Sequence, residues 1–254
     1  MVGKNKRGQV TVFVILAIAI VIVLIVLLTG RSDLFSIFTG ETPVQQIKTC
    51  AQEPVEEAIE ILKLQGGSLE PELYYLYQGN KIEYLCYTDA NYDNCVMQKP
   101  LLKQSIEKEI RKYAEPRIKN CINSVKSSLE GKGYEVSMKT PEISFSLVPN
   151  NIMIDMDLDL KLVKDKTESY KSIKTDLSSK LYDMVMIASS ISNWEARYGD
   201  SETMTYMMYY PSLKVEKKKQ GDGTTVYILT DRNSDDKFMF ASRSLALPAG
   251  LTGQ

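Results

Sequence analysis

From Val10 to Leu28 the chain reads VTVFVILAIAIVIVLIVLL, an apolar run that only Thr11 interrupts. A helix needs roughly 20 such residues, each adding about 1.5 Å, to cross a hydrocarbon core about 30 Å thick. The run has that length and no charge, so a transmembrane helix over 10–29 is expected. Lys4, Lys6 and Arg7 precede it, and Arg31 followed by Asp33 comes after it. Basic residues collect on the cytoplasmic side of a span, which predicts a cytoplasmic N-terminus. A cleaved secretory signal is the rival reading. Its apolar core is about 7–15 residues long and ends at an A-x-A-like site. Here the exit is Thr29-Gly30-Arg31-Ser32.

The segments then follow in order. Residues 1–9 form a basic cytoplasmic segment, 10–29 the span and 30–41 a linker. Residues 42–248 form an extracytoplasmic α+β domain, and 249–254 a loose tail. With 31 Lys and Arg against 32 Asp and Glu, the chain lacks the basic excess of a nucleic-acid-binding surface. The expected partners are the lipid bilayer and other envelope proteins.

All four cysteines lie beyond the span. In an oxidising compartment an even number predicts disulfides, and four cysteines allow three pairings. The favoured pairs are Cys50–Cys121 and Cys86–Cys95. The first two each sit on the apolar face of a predicted helix, and the second two flank a short loop. With no His in the chain and no C-x-x-C pair, zinc and other metals are not expected, nor is any cofactor.

Thr42-Pro43-Val44-Gln45 carries the signals of a helix start, with a capping residue, a first-turn Pro and a capping-box Gln. Val44, Ile47, Ala51, Val55, Ala58, Ile59 and Leu62 follow at helical spacing, and Gly66-Gly67 ends the helix. Pro54 predicts a kink or a restart of the helix. Leu73–Tyr77 and Lys81–Tyr87 read as a hairpin around Gly79-Asn80. A second helix runs from Pro100 to Gly131, bent at Pro116, with Glu107–Arg111 and Glu115–Lys119 as surface pairs.

Strands are expected at Tyr134–Lys139, Glu142–Val148 and Ile152–Leu162, the last alternating cleanly between apolar and polar. A third helix is expected from Thr175 to Tyr198, with Leu177 and Leu181 starting its stripe. Ser212–Lys218, Thr224–Thr230 and Lys237–Arg243 read as a meander. The fold class is α+β, with helices on one face of an antiparallel sheet.

Four stretches could carry chemistry. Ser105-Ile106-Glu107-Lys108 fits S-x-x-K, but the accompanying S-D-N and K-T-G elements are missing. Asp155, Asp157 and Asp159 line one strand face about 7 Å apart, where a solvated face with nearby Lys residues explains them. Asp89, Asn91 and Asp93 have the spacing of a calcium loop, but Pro100 stands where its bidentate Glu belongs. Met204, Met207 and Met208, interleaved with Tyr206, Tyr209 and Tyr210, could form a soft metal or partner surface; they are expected to pack the sheet or a domain seam, the alternative being that two of the tyrosines line an exposed interface. Without His the usual triads are missing, so an enzyme is not expected.

Lys6-Arg7-Gly8-Gln9 leading straight into the apolar run resembles the class III signal of archaeal type IV pilin-like proteins. In that family a prepilin peptidase cuts after the Gly, so the resemblance implies Gly8 and Gln9 as a processing site. Phe13 stands where polymerising pilins carry a Glu, which sets this chain apart from them. The start RGQVTVF and the later Leu64-Gln65-Gly66-Gly67 are also similar to a group of archaeal single-span membrane proteins. The expected role is a membrane-anchored structural or interaction component of the cell envelope. The alternative is a membrane-tethered domain that binds a ligand or substrate without catalysis.

Overall fold

The computed structural model describes residues 42–247 except Asp235. The expected span, the linker 30–41, Gly8, Gln9 and the tail 249–254 all lie outside the described residues. Among the described residues no helix is long and apolar enough to cross a membrane. From Pro43 onward they belong to one unit.

Helix α1 (Pro43–Leu64) buries the predicted stripe of Ile47, Ala51, Val55, Ala58, Ile59 and Leu62. Pro54 is also buried and the helix runs through it. After a hairpin of β1 (Tyr74–Tyr77) and β2 (Asn80–Tyr87) and the short β3 (Val96–Met97), helix α2 (Leu102–Gly131) passes unbroken through Pro116. Ile106, Ile110, Ala114, Ile118 and Ile122 face inward at regular helical spacing. The two helices are antiparallel, because Cys50 meets Cys121, Tyr113 donates to Glu57 and Gly67 abuts Ile106.

Gly66 and Gly67 make that turn possible. Both have positive φ, at 72° and 91°. A Cβ on Gly67 would stand 2.7 Å from Ile106 Cγ1, and one on Gly66 would stand 3.0 Å from the Glu83 Cβ. Only glycine allows both the left-handed backbone and the close approach. Gly67 N–H donates to Leu62 O at 2.8 Å and closes the helix.

The next strands form an antiparallel sheet. β4 (Glu135–Ser137) and β5 (Glu142–Val148) lie end to end along one edge of β6 (Asn151–Val163), and β7 (Thr167–Ser178) pairs along the other. The even residues Ile152 to Leu162 of β6 are buried and the odd ones face outward, as expected.

Strand β7 is a correction. The expected third helix began at Thr175, because Leu177 sits four residues before Leu181. Instead Thr175 pairs with Ile154 and Leu177 with Ile152. Helix α3 begins at Leu181 and ends at Tyr198, with Gly199 as its left-handed cap. Local helical spacing lost to a long ladder with β6, since strand preference is set by cross-strand neighbours. The rest of β7 is mostly polar, so its own sequence gave no alternation to read.

A short helix α4 (Met204–Tyr209), not foreseen, leads into the meander of β8 (Leu213–Lys219), β9 (Thr224–Asp231) and β10 (Lys237–Arg243). The meander is as expected, but it does not join the first sheet. The strand order is β1-β2-β10-β9-β8, with β10 parallel to β2, so a second, mixed sheet forms in addition to the antiparallel one, where a single antiparallel sheet was expected. Its inner face shares the main core with α1, α2, α3 and the antiparallel sheet. Its outer face carries a small core of its own, with Ile82, Tyr84, Val226, Met239 and Ala241 buried.

Candidate functional site

The cysteines form two disulfides. Cys50–Cys121 ties α1 to α2 with the Cα atoms 5.6 Å apart, and Cys86–Cys95 ties β2 to the start of β3 at 5.3 Å. These are the pairs that the sequence favours. The loop between Cys86 and Cys95 holds Asp89, Asn91 and Asp93, all exposed. Arg243, at the end of β10, reaches into it. Its guanidinium donates to Thr88 O at 2.6 Å, to Ala90 O at 3.3 Å and to Asn91 Oδ1 at 3.3 Å. A side-chain cation thus takes carbonyl and amide oxygens that a calcium ion would need.

The aspartate row is held by lysines. Asp155 pairs with Lys174 at 2.5 Å, and Lys139 bridges Asp157 and Asp159 at 3.1 and 3.3 Å. The row is also uneven: the ladder with β7 bulges between Asp157 and Leu160, and Asp159 has φ 43°. An open groove of about 610 Å³ runs beside this face, lined among others by Arg111, Glu115, Lys119, Glu142, Asp155 and Lys171. Of the two expected helix pairs, Glu115–Lys119 forms at 2.5 Å. Glu107 turns instead to Lys103, at 2.7 Å, and accepts from Leu147 N–H. Ser105 and Lys108 of the S-x-x-K stretch lie on α2 with Lys108 exposed.

Two buried carboxyls escaped the sequence. Glu83 on β2 accepts from the Ser68 hydroxyl and pairs with Lys99 at 3.2 Å, while Glu109 accepts from Leu69 N–H nearby. Burial pushes the Glu83 carboxyl above the ordinary range. Glu195 on α3 is 2 % exposed. It accepts from the Tyr227 hydroxyl, from Ser201 N–H at 2.8 Å and from the Ser242 hydroxyl at 3.3 Å. Burial raises its pKa, and burial beside this carboxylate raises that of the Tyr227 phenol. Ser242 lies opposite Cys86 across the parallel pair and 3.8 Å from Cys95 Sγ. Glu195 thus fastens α3 to both central strands next to a disulfide. The signal for it was in the sequence: it continues the stripe Ala188, Ile191, a charged residue on an apolar face.

The methionine–tyrosine stretch is divided between the inward packing expected of it and the exposed alternative. Tyr206 and Met207 rest on the core. Met204, Met208, Tyr209 and Tyr210 stand exposed.

Among the described residues no three His, Cys, Asp or Glu side chains converge as a metal site. Each acid or loop that suggested chemistry is instead engaged by a partner within the fold. No family model, no curated protein and no solved structure matches the chain.

Proposed function

We propose that the chain is a single-span, pilin-like component of a cell envelope, with its N-terminus in the cytoplasm and its α+β domain outside. It serves as a structural or interaction part and not as a catalyst. The observation that carries this reading is the pair of disulfides, which use every cysteine of the chain. Such bonds persist in oxidising compartments and are rare in the cytosol. The apolar run 10–28 with its basic N-terminal flank supports the anchor and its orientation.

Mass spectrometry of the chain purified from membranes tests the pilin-like part. A mature N-terminus at Gln9 is expected, and intact Met1 or Val2 at full occupancy would sink it. Protease digestion of intact cells tests the orientation: the domain from Pro43 on should be cut, and full protection would reverse the topology.

The groove beside the aspartate row favours a second reading, a tethered domain that binds a small polar ligand. Its volume lies within the range of about 300–1,000 Å³ common for ligand sites. Its charges argue against an apolar ligand.

A further inference from the structure

Seven of the sixteen large apolar side chains that stand exposed among the described residues come from the stretch 186–210, so they make one patch. Met186, Trp194 and Tyr198 are spaced along α3 by multiples of four, which places them along one side of the helix. Ser190 falls between them, and its hydroxyl meets the Tyr206 hydroxyl at 2.8 Å. That bond sets α4 beside the same side of α3. Tyr206 and Met207 hold α4 to the core, while Met208 and Tyr209, each 79 % exposed, turn out with Met204 and Tyr210. These side chains lie outside the buried core, and an apolar patch of this kind marks a contact surface.

Three observations point to a lipid surface as the partner. Trp and Tyr, apolar rings with a polar tip, are the residues that settle at headgroup level. From Arg197 to Lys219 the chain carries five cations, Arg197, Lys214, Lys217, Lys218 and Lys219, against three acids, Asp200, Glu202 and Glu216. That excess suits anionic headgroups. Finally, only residues 29–42 separate the apolar run from α1; fully extended they reach about 50 Å, and as a flexible chain about 20 Å. This is comparable with the size of the domain, whose radius of gyration should be about 17 Å. A bilayer so close is held at a high effective concentration by the tether.

We propose that α4 and the outer side of α3 form an interfacial patch that seats Trp194, Met208 and Tyr209 among the headgroups of an anionic bilayer. The domain then lies on the membrane instead of standing off on its linker. This rests on reading Val10–Leu28 as the anchor.

Trp194 is the sole tryptophan and reports on its own patch. The full chain is reconstituted in vesicles of equal parts phosphatidylcholine and phosphatidylglycerol, with and without brominated acyl chains. Brominated lipid is expected to lower Trp194 emission about twofold, as for a ring at the interface. The variant Met208→Ser/Tyr209→Ser removes two apolar contacts with the bilayer, weakens seating about tenfold or more, and should abolish that loss with thermal unfolding unchanged. Leu76→Ser, at an exposed apolar site on β1, should leave it intact.

Emission indifferent to brominated lipid, in a chain that resists alkaline extraction, overturns the patch and leaves the anchor standing. Release of the chain by alkali overturns both. Quenching that survives in Met208→Ser/Tyr209→Ser, or is lost equally in Leu76→Ser, also overturns the patch. So does an unquenched Trp194 accompanied by cross-linked dimers, which would assign this surface to a second copy.

Discussion

Asp155 and Glu195 are both carboxylates on regular elements, yet their surroundings are opposite. Asp155 stands on the open face of the antiparallel sheet, where Lys174 answers it in water. Glu195 lies between α3 and the mixed sheet, with three donors converging on it. The antiparallel sheet buries one face and leaves the other solvated, so its polar residues need only loose partners. The mixed sheet carries buried apolar side chains on both faces, so an unpaired charged group there is costly. Stability should therefore be far more sensitive to the second region than to the first.

The largest difference should come from truncating each carboxylate. Glu195→Ala leaves the Tyr227 hydroxyl and Ser201 N–H buried without their acceptor and should cost about 3 kcal/mol or more in urea unfolding. Asp155→Ala removes an exposed ion pair and should cost at most about 0.5 kcal/mol. Similar losses for both would erase the distinction between the two faces.

The disulfides offer a second contrast, since one closes 71 residues and the other 9. Loop entropy predicts about 4 kcal/mol lost for Cys50→Ala/Cys121→Ala and about 3 kcal/mol for Cys86→Ala/Cys95→Ala. A larger loss from the short loop would show that Cys86–Cys95 supports the Glu195 cluster through packing and not through chain entropy alone.

The smallest effect is a slope. The Glu195 pKa is raised from its ordinary 4.5, mainly by burial, so the folded state holds that proton more tightly than the unfolded one. Its contribution is full in acid, below the unfolded value, and is lost as pH rises through the folded value. Lys217, near the carboxylate, opposes the shift and Asp200 adds to it. Glu195→Gln keeps an acceptor for Tyr227 and Ser201 and can donate to Ser242, so it should fold normally. Above about pH 4.5 it should gain on the parent chain by at most about 1.4 kcal/mol per pH unit. Parallel stability–pH curves for the two proteins would show that Glu195 is not the titrating group.

Legibility followed the same division. Strand β6 could be read to within a residue because one face meets water, and α1 and α2 because each buries a single stripe. Glu83 and Arg243 could not be read, because their partners lie far along the chain or across a sheet. Arg243 meets Thr88 and Ala90 only because β10 returns parallel to β2. The aspartate row and the loop Asp89 to Asp93 were visible as patterns, but their lysine and arginine partners were not.

The sequence by itself determined the apolar run, the helix stripes, the glycine turn at Gly66-Gly67 and the α+β class, since each follows from local periodicity or from backbone freedom. Tertiary structure alone decided that Thr175–Ser178 is strand, that two sheets form where one was expected, and which donors meet Glu195. It also decided that α4 turns Met204, Met208 and Tyr209 outward. Those outcomes rest on pairing and burial between distant residues, whose energies exceed local preference.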